Sequence, residues 1–380
     1  MPPTAPPPDS TRFSRHVPGN SLWTRLSEGR RLDELWSQFS ADAQASYGFY
    51  GKDLDWDELK TVSRWRRPFR VAKHFCWALV MKMTPARRVL LFIALGMLLL
   101  SGLKESFNFE AIAAVLFLLL LSLELADKVT MKRDLEIARE IQSWLVPSQA
   151  PPIAGASIAF HTRPQNSVAG DYYDAFYAME DAASGGKLFL VIADVAGKSV
   201  PAALLMATFQ ASLHTVAREG VSLEKLVARL NRYACAHSLD GRRFTTAVLG
   251  EYDPATRQFN YVNAGHNAPV IRRYRPDGNV TMDRLDSGGM PFGISLDARY
   301  EAGSVRLAPK DTMILFTDGV IEAFNSKGEE FSDPRWLNAI RNLPDWDAQR
   351  SLNFLMQRVD EFVGSTKQSD DITCLVLRCD

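Results

Sequence analysis

The chain has 380 residues, with 44 basic and 44 acidic side chains and no net charge. That is long enough for more than one domain and a sizeable core, and it carries no global electrostatic bias towards nucleic acid, so no nucleic-acid partner is expected. Four cysteines without a C-x-x-C pair read as thiols of a reducing compartment rather than a zinc site, and six histidines leave carboxylates as the expected metal ligands.

Residues 1–20, with proline at positions 2, 3, 6, 7 and 8, read as a disordered tail without the apolar segment of a signal peptide. Residues 21–88 form a helical and basic region. Leu22, Leu26, Leu32, Leu35, Trp36 and Phe39 suggest one or two amphipathic helices broken near Gly29. From Lys60 to Arg88 every charged side chain is basic, with Trp65, Phe69, Phe75 and Trp77 interleaved. This composition fits a juxtamembrane surface that meets anionic lipid headgroups.

Residues 89–125 read as a helical membrane hairpin. Val89–Leu103 and Ala111–Leu123 carry no charge, and Lys104, Glu105 and Glu110 lie between them. Each run falls short of the roughly 20 residues that cross a bilayer, so the hairpin is thin. The basic cluster predicts two spans in the cytoplasmic membrane with both termini cytoplasmic. A buried helical hairpin or a re-entrant segment of a soluble protein is the alternative. In the linker at 126–150, Leu125, Met131, Leu135, Ala138, Ile141 and Leu145 predict one seam of a helix that pairs with a second copy, giving a homodimer, or docks on the next domain. Pro147, Pro151 and Pro152 end it.

Residues 151–380 are patterned as a globular α+β domain. Strands are predicted at 157–163, 187–194, 244–252, 258–264, 269–275, 303–307, 312–316 and 372–378, and helices at 201–219, 222–237, 334–342 and 347–363. Strands arriving in runs, with helices in separate pairs, indicate an α+β sandwich rather than βαβ units.

Four segments of this domain set aspartates at predicted strand ends: A-G-D-Y-Y-D with Asp171 and Asp174, I-A-D-V-A-G-K with Asp194, L-F-T-D-G-V with Asp318, and S-D-D-I-T with Asp370 and Asp371. Alone, each reads equally well as a turn or a helix cap. Together they predict carboxylates converging at one edge of the sheets, where their mutual repulsion calls for cations. Hard divalent ions such as Mg²⁺ or Mn²⁺ prefer such oxygen ligands and occur in pairs at phosphate-hydrolysing sites.

These segments, with E-I-A-R-E-I-Q-S-W-L-V-P (136–147), D-V-A-G-K-S-V-P-A-A-L-L-M (194–206), R-F-T-T-A (243–247), N-A-G-H-N-A-P (263–269), M-P-F-G-I (290–294) and F-T-D-G-V-I-E-A (316–323), resemble the PPM-type, or protein phosphatase 2C-like, serine/threonine phosphatases in their bacterial SpoIIE-like branch. The resemblance covers the chain from about Glu136 onward. It implies an αββα sandwich of two antiparallel sheets flanked by helices, with two Mn²⁺ or Mg²⁺ ions at one end. It also implies that Asp194 bridges the ions, that the Val195 carbonyl, Asp318 and Asp370 ligate them, and that Asp171 binds directly or through water. Asp194 and Asp318 are thereby the catalytic candidates, and Asp174, Lys198, His266 and Asp371 the supporting ones. The implied substrate is phosphoserine or phosphothreonine on a protein, typically a STAS-type anti-sigma-factor antagonist.

Three positions depart from the branch. Ala169 and Ser199 stand where glycine is usual, which the turns tolerate unless φ is positive. Ala196 replaces the histidine of metazoan-type members, leaving the proton donor to the leaving serine open between a water and His266, whose ring could equally organise its turn. Lys198 could contact phosphate or be a solvated turn lysine, and no arginine is marked as a phosphate clamp. The expected function is a membrane-anchored, metal-dependent protein serine/threonine phosphatase. The alternatives are a non-catalytic phosphoprotein-binding scaffold of the same fold and, more weakly, a nucleotide phosphodiesterase.

Overall fold

A strand as apolar as L-F-L-V-I-A-D-V needs cover on both faces, and the surrounding fold supplies it. The computed structural model describes residues 67–101, 108–178, 186–237, 243–274 and 279–380. The expected tail, the amphipathic helices at 22–50 and the basic residues before Arg67 lie outside these. The chain divides into two units, residues 1–127 and 128–380.

The first unit contains helices α1 (Arg67–Lys82), α2 (Pro85–Ser101) and the beginning of α3 (Phe109–Leu145). Arg87 near the start of α2 donates to Glu124 at 3.0 Å and Asp127 at 2.6 Å on α3, so the start of α2 lies beside the middle of α3, as in a helical hairpin. Val89, Phe92, Leu99, Leu118 and Leu121 are exposed. Two described helices are long and apolar enough to cross a membrane, α3 and the later Val200–Ala217, and the latter contributes five buried side chains to the folded core. The 17 residues of α2 would span about 25 Å at 1.5 Å per residue. The second apolar run and the linker form one continuous helix, α3. Residues on both sides of Leu123 favour helix, so the change from apolar to charged alters the surface and not the backbone.

The second unit builds two sheets. One has the order β1 (Ala156–Arg163), β11 (Ile372–Cys379), β10 (Thr312–Phe316), β6 (Val270–Tyr274) and β7 (Val280–Arg284). The other runs β2 (Tyr172–Tyr177), β3 (Leu188–Val195), β4 (Thr245–Asp253), β5 (Gln258–Ala264) and β8 (Gly288–Gly289), with β9 (Gly303–Arg306) also on β5. All pairings are antiparallel except the short β5–β8 contact. Helices α4 (Val200–Ala217) and α5 (Leu223–Ala236) cover the second sheet. The short α6 (Asp318–Ile321), with α7 (Ser332–Arg341) and α8 (Ala348–Val363), belongs to the first sheet's side.

Strand alternation assigns each face. On β3, Phe189, Val191, Ala193 and Val195 pack towards α4 and α5, whereas Leu188, Leu190 and Ile192 meet Met313, Leu315, Leu375 and Leu377 between the sheets. Cys374 and Val376 of β11 face Trp336, Leu352 and Leu355 on the other side. The result is the expected α-β-β-α layering. By parity Asp194 continues the Leu190–Ile192 row, so it emerges at one end of the gap between the sheets.

The turn after β3 is strained. Ser199 has φ 62° and ψ −145°, a region essentially reserved for glycine and costing about 1–3 kcal/mol. The condition under which a side chain at this position matters is thus met. Ser199→Gly should stabilise the second unit by about 1 kcal/mol, read as a rise in its unfolding midpoint; an unchanged or lower midpoint would contradict the strain.

Candidate active site

The aspartate segments come from both sheets and meet at this end. Asp171 precedes β2 and is buried; its Oδ2 accepts from Thr317 Oγ1 at 2.9 Å. Thr317, between β10 and α6, also accepts on Oγ1 from the Thr373 amide and donates its own amide to the Thr373 carbonyl, each at 3.0 Å. One threonine therefore joins Asp171 of the second sheet to β10 and β11 of the first. Asp318 opens α6. Asp371 accepts the amides of Gln165 and Gly170, both at 2.7 Å, which fixes the loop carrying Asp171.

Glycines permit the close approaches. A Cβ on Gly170 would lie 3.1 Å from the Val195 carbonyl oxygen and 3.2 Å from Ala202 Cβ. A Cβ on Gly319 would lie 1.9 Å from the Asp371 carbonyl oxygen. The Asp-Gly pair is thus a packing requirement between two carboxylate-bearing segments as well as a turn.

The electrostatics record the crowding. Burial, then Asp318, Asp370, Asp371 and Glu322, raise the Asp194 pKa to about 7. Asp171 is raised well above the ordinary carboxylate value by burial and Asp194. Asp318 is raised by burial and Asp370, and Asp371 by burial against its amide donors. Asp370 takes a different counter-charge: Lys198 Nζ lies 3.0 Å from its Oδ2 and 3.0 Å from the Ser369 carbonyl. Lys198 is therefore a tie between the β3–α4 turn and the S-D-D loop.

Among the described residues no three Asp, Glu, His or Cys side chains are gathered tightly enough to hold an ion as they stand. The cause is visible in the partners: Asp370 turns to Lys198, Asp171 to Thr317 and Asp371 to backbone amides. The donor set nevertheless suits a hard divalent cation, being entirely carboxylate and carbonyl oxygen with repulsion that cations would relieve.

Two supporting candidates sit elsewhere in the network. Asp174 does not join the cluster. On the helix-facing side of β2, its Oδ2 accepts from Tyr172 Oη at 2.6 Å and lies 2.7 Å from His214 Nε2 on α4. Its place follows from strand alternation, which puts Asp174 with Tyr172 and Phe176 against the helices. His266 stands with Nδ1 2.8 Å from Thr246 Oγ1. Asn263 accepts its amide at 2.8 Å and donates to its carbonyl at 3.0 Å. Burial lowers its pKa to about 4, so at neutral pH the ring is uncharged, and its bonds are those of a turn organiser.

Several participants are not singled out by the sequence reading. Glu322 follows Asp318 by one helical turn and joins its amide to the Asp318 carbonyl at 2.8 Å; that spacing was the available signal. Gln142 near the end of α3 reaches Ala169 with both ends of its amide, donating to the carbonyl at 2.8 Å and accepting the amide at 2.9 Å. Arg243 lies against the β3–α4 turn. The last two lie within segments that carry the resemblance, but their contacts are set by the tertiary structure.

Two sheets flanked by helices, with carboxylates from both sheets crowding one end, define a protein of the PP2C-like class. The fold matches the SiaA-PP2C domain of Pseudomonas aeruginosa with a TM-score of 0.57 at 23% identity, covering 67% of this chain and 99% of that one. It also matches the PP2C phosphatase domain, with a fragment of the regulatory domain, of SpoIIE from Bacillus subtilis, with a TM-score of 0.50 at 21% identity, covering 59% and 63%. Residues 184–380 match the family described as Stage II sporulation protein E (SpoIIE), more than half of the chain, and the chain belongs to that family. It is 30% identical over 198 residues to the phosphoserine phosphatase RsbU of Bacillus subtilis, covering 52% of this chain and 56% of RsbU. The chain spans about half the length of the curated relatives it matches.

Proposed function

We propose that this protein is a metal-dependent protein serine/threonine phosphatase, held at the cytoplasmic membrane with its catalytic unit in the cytoplasm. The observation that carries the reading is the mutual repulsion of Asp171, Asp194, Asp318 and Asp371, whose raised pKa values mark a site that is unfavourable without cations. A binding scaffold gains nothing from such an arrangement. Membership of the SpoIIE family and likeness to RsbU, itself a phosphoserine phosphatase, support the phosphomonoester chemistry.

In this reading Asp194, Asp318, Asp370, Asp171 and the Val195 carbonyl hold two Mn²⁺ or Mg²⁺ ions. When bound, such ions supply Lewis acidity that favours ionisation of an attacking water and neutralises phosphoryl charge. The chain's own part is orientation: Thr317 and Thr373 aim Asp171, Asp371 fixes the Gly170 amide, and Gly319 lets the two carboxylate segments close on one another. Lys198 holds Asp370 at 3.0 Å, and Asp370 would turn from that ammonium to ligate an ion. The exposed Phe244, Met290 and Ile294, tied together by the Thr245–Phe292 bridge, give the neighbourhood an apolar rim suited to a protein carrying the phosphate. A STAS-type anti-sigma-factor antagonist is the proposed substrate, and sigma-factor regulation the proposed role.

Residues 21–88 then meet anionic lipid, 89–125 form the membrane hairpin, 126–150 the linker and 151–380 the phosphatase domain. Of the expected seam, Leu125, Met131 and Ile141 are exposed on α3 and suit pairing of two linkers in a homodimer. The test is phosphate release from a phosphorylated STAS-type protein by washed membranes and by the soluble fraction of expressing cells, with and without Mn²⁺. Mn²⁺-dependent release in the membranes is expected. Release confined to the soluble fraction would remove the anchor, and Mn²⁺-independent or absent release in both would remove the enzyme.

A further inference from the structure

The site so far described is almost entirely negative, yet a phosphomonoester is itself a dianion near neutral pH. Neutralisation by ions leaves open what orients the phosphoryl oxygens. Two cationic side chains approach the turn that follows Asp194. Lys198 is committed to Asp370 and the Ser369 carbonyl. Arg243 is not committed to any acid: among the described residues its Nη1 donates to the Ala196 carbonyl at 3.3 Å, and no carboxylate there pairs with it.

Its position is built by the fold. The Ala196 amide donates to the Phe244 carbonyl at 2.9 Å, which lays Arg243 and Phe244 alongside the turn. Gly197 has φ 125°, and a Cβ there would stand 2.1 Å from Arg243 Nη1. The absent side chain is thus the space the guanidinium occupies, three residues beyond Asp194. An arginine pinned by one long bond to a carbonyl keeps most of its N–H donors, and their planar fork matches two oxygens of a phosphate.

We propose that Arg243 binds the phosphoryl group of the substrate, a serine or threonine phosphomonoester borne by a protein, and holds it for attack at the carboxylate centre. The inference rests on the phosphatase reading, and its recognition chemistry is that of a phosphate dianion. Gly197 serves it by leaving room for the guanidinium.

The test uses the full chain in detergent with Mn²⁺, with inorganic phosphate as the probe. Phosphate binding is measured by calorimetry and as product inhibition of p-nitrophenyl phosphate hydrolysis. Arg243→Ala should weaken phosphate binding and raise KM by about 10- to 100-fold, with the Mn²⁺ activation midpoint unchanged. Arg243→Lys, which keeps the charge without the fork, should recover part of the loss and controls for misfolding. Wild-type phosphate affinity and KM in both variants, or a change confined to the Mn²⁺ midpoint, would overturn the assignment. If the wild type binds phosphate through Arg243 but releases none from any phosphoester, Arg243 stands and the phosphatase reading falls. A wild type that does neither overturns both.

Discussion

Asp194→Asn should make the ion-free protein more stable while abolishing its hydrolysis. The carboxyl is raised from 3.8 to about 7 by burial and by four neighbouring acids. Between about pH 4 and 7 the native state therefore keeps a proton that the unfolded chain has released. Its favourable effect on folding is present at low pH and is lost as pH rises through 7. Above that, an ionised Asp194 opposes the fold. The amide removes this charge at nearly constant shape, so at pH 7.5 without divalent ions the variant should gain about 1–3 kcal/mol, or roughly 3–8 °C in Tm. Its stability should also depend less on pH between 4 and 7. With Mn²⁺ the order should reverse, because the wild type gains ion binding that the variant forfeits. Phosphate release should fall on the order of 10³-fold. Thermal unfolding with and without Mn²⁺, beside the release assay, measures both. An ion-free variant less stable than wild type would contradict the repulsion on which the site is argued.

Gly319→Ala should be severely damaging at this end of the sandwich. Its Cβ would enter within 1.9 Å of the Asp371 carbonyl oxygen and 2.9 Å of the attached carbon. Both are backbone atoms of the strand-entry segment that carries Asp370 and Asp371, so no side chain can rotate aside. Either α6 or the S-D-D loop must move by more than an ångström. A loss of about 3 kcal/mol in stability and about 10²-fold in activity from misplaced carboxylates is expected. Denaturant unfolding and the same release assay give the two values. A variant with wild-type stability would mean that the two segments are not held in this register.

The fold was largely readable because its strands are apolar runs ended by turn residues. The expected bounds of β5 and β10 match the structure residue for residue. The strand β2 was not expected, since Y-Y-D-A-F-Y carries an acid in its middle; that acid, Asp174, is tolerated because Tyr172 and His214 bond it. The short β8 was invisible for a different reason. Two glycines have no strand preference, and their pairing with Asn263 and Ala264 is decided by the approach of backbones. At the site, Asp171, Asp194, Asp318, Asp370 and Asp371 stand out because acids at the ends of apolar runs are costly. Which face Asp174 takes, that Lys198 pairs with Asp370, and that Arg243 reaches Gly197 depend on side-chain neighbours from distant segments, and no local pattern encodes them.

The paired hydrogen bonds between Gln142 and Ala169 have a consequence of their own. Gln142 presents an amide to an amide, as a neighbouring strand would, so the backbone N–H of Ala169 is shielded by a side chain of α3 and not by any sheet. Exchange of that one proton with solvent deuterium requires that the Gln142 side chain, or the end of the helix that carries it, let go. Ala169 thus carries a native reporter, two residues from Asp171, of how often the linker is seated, readable without a label or a substrate.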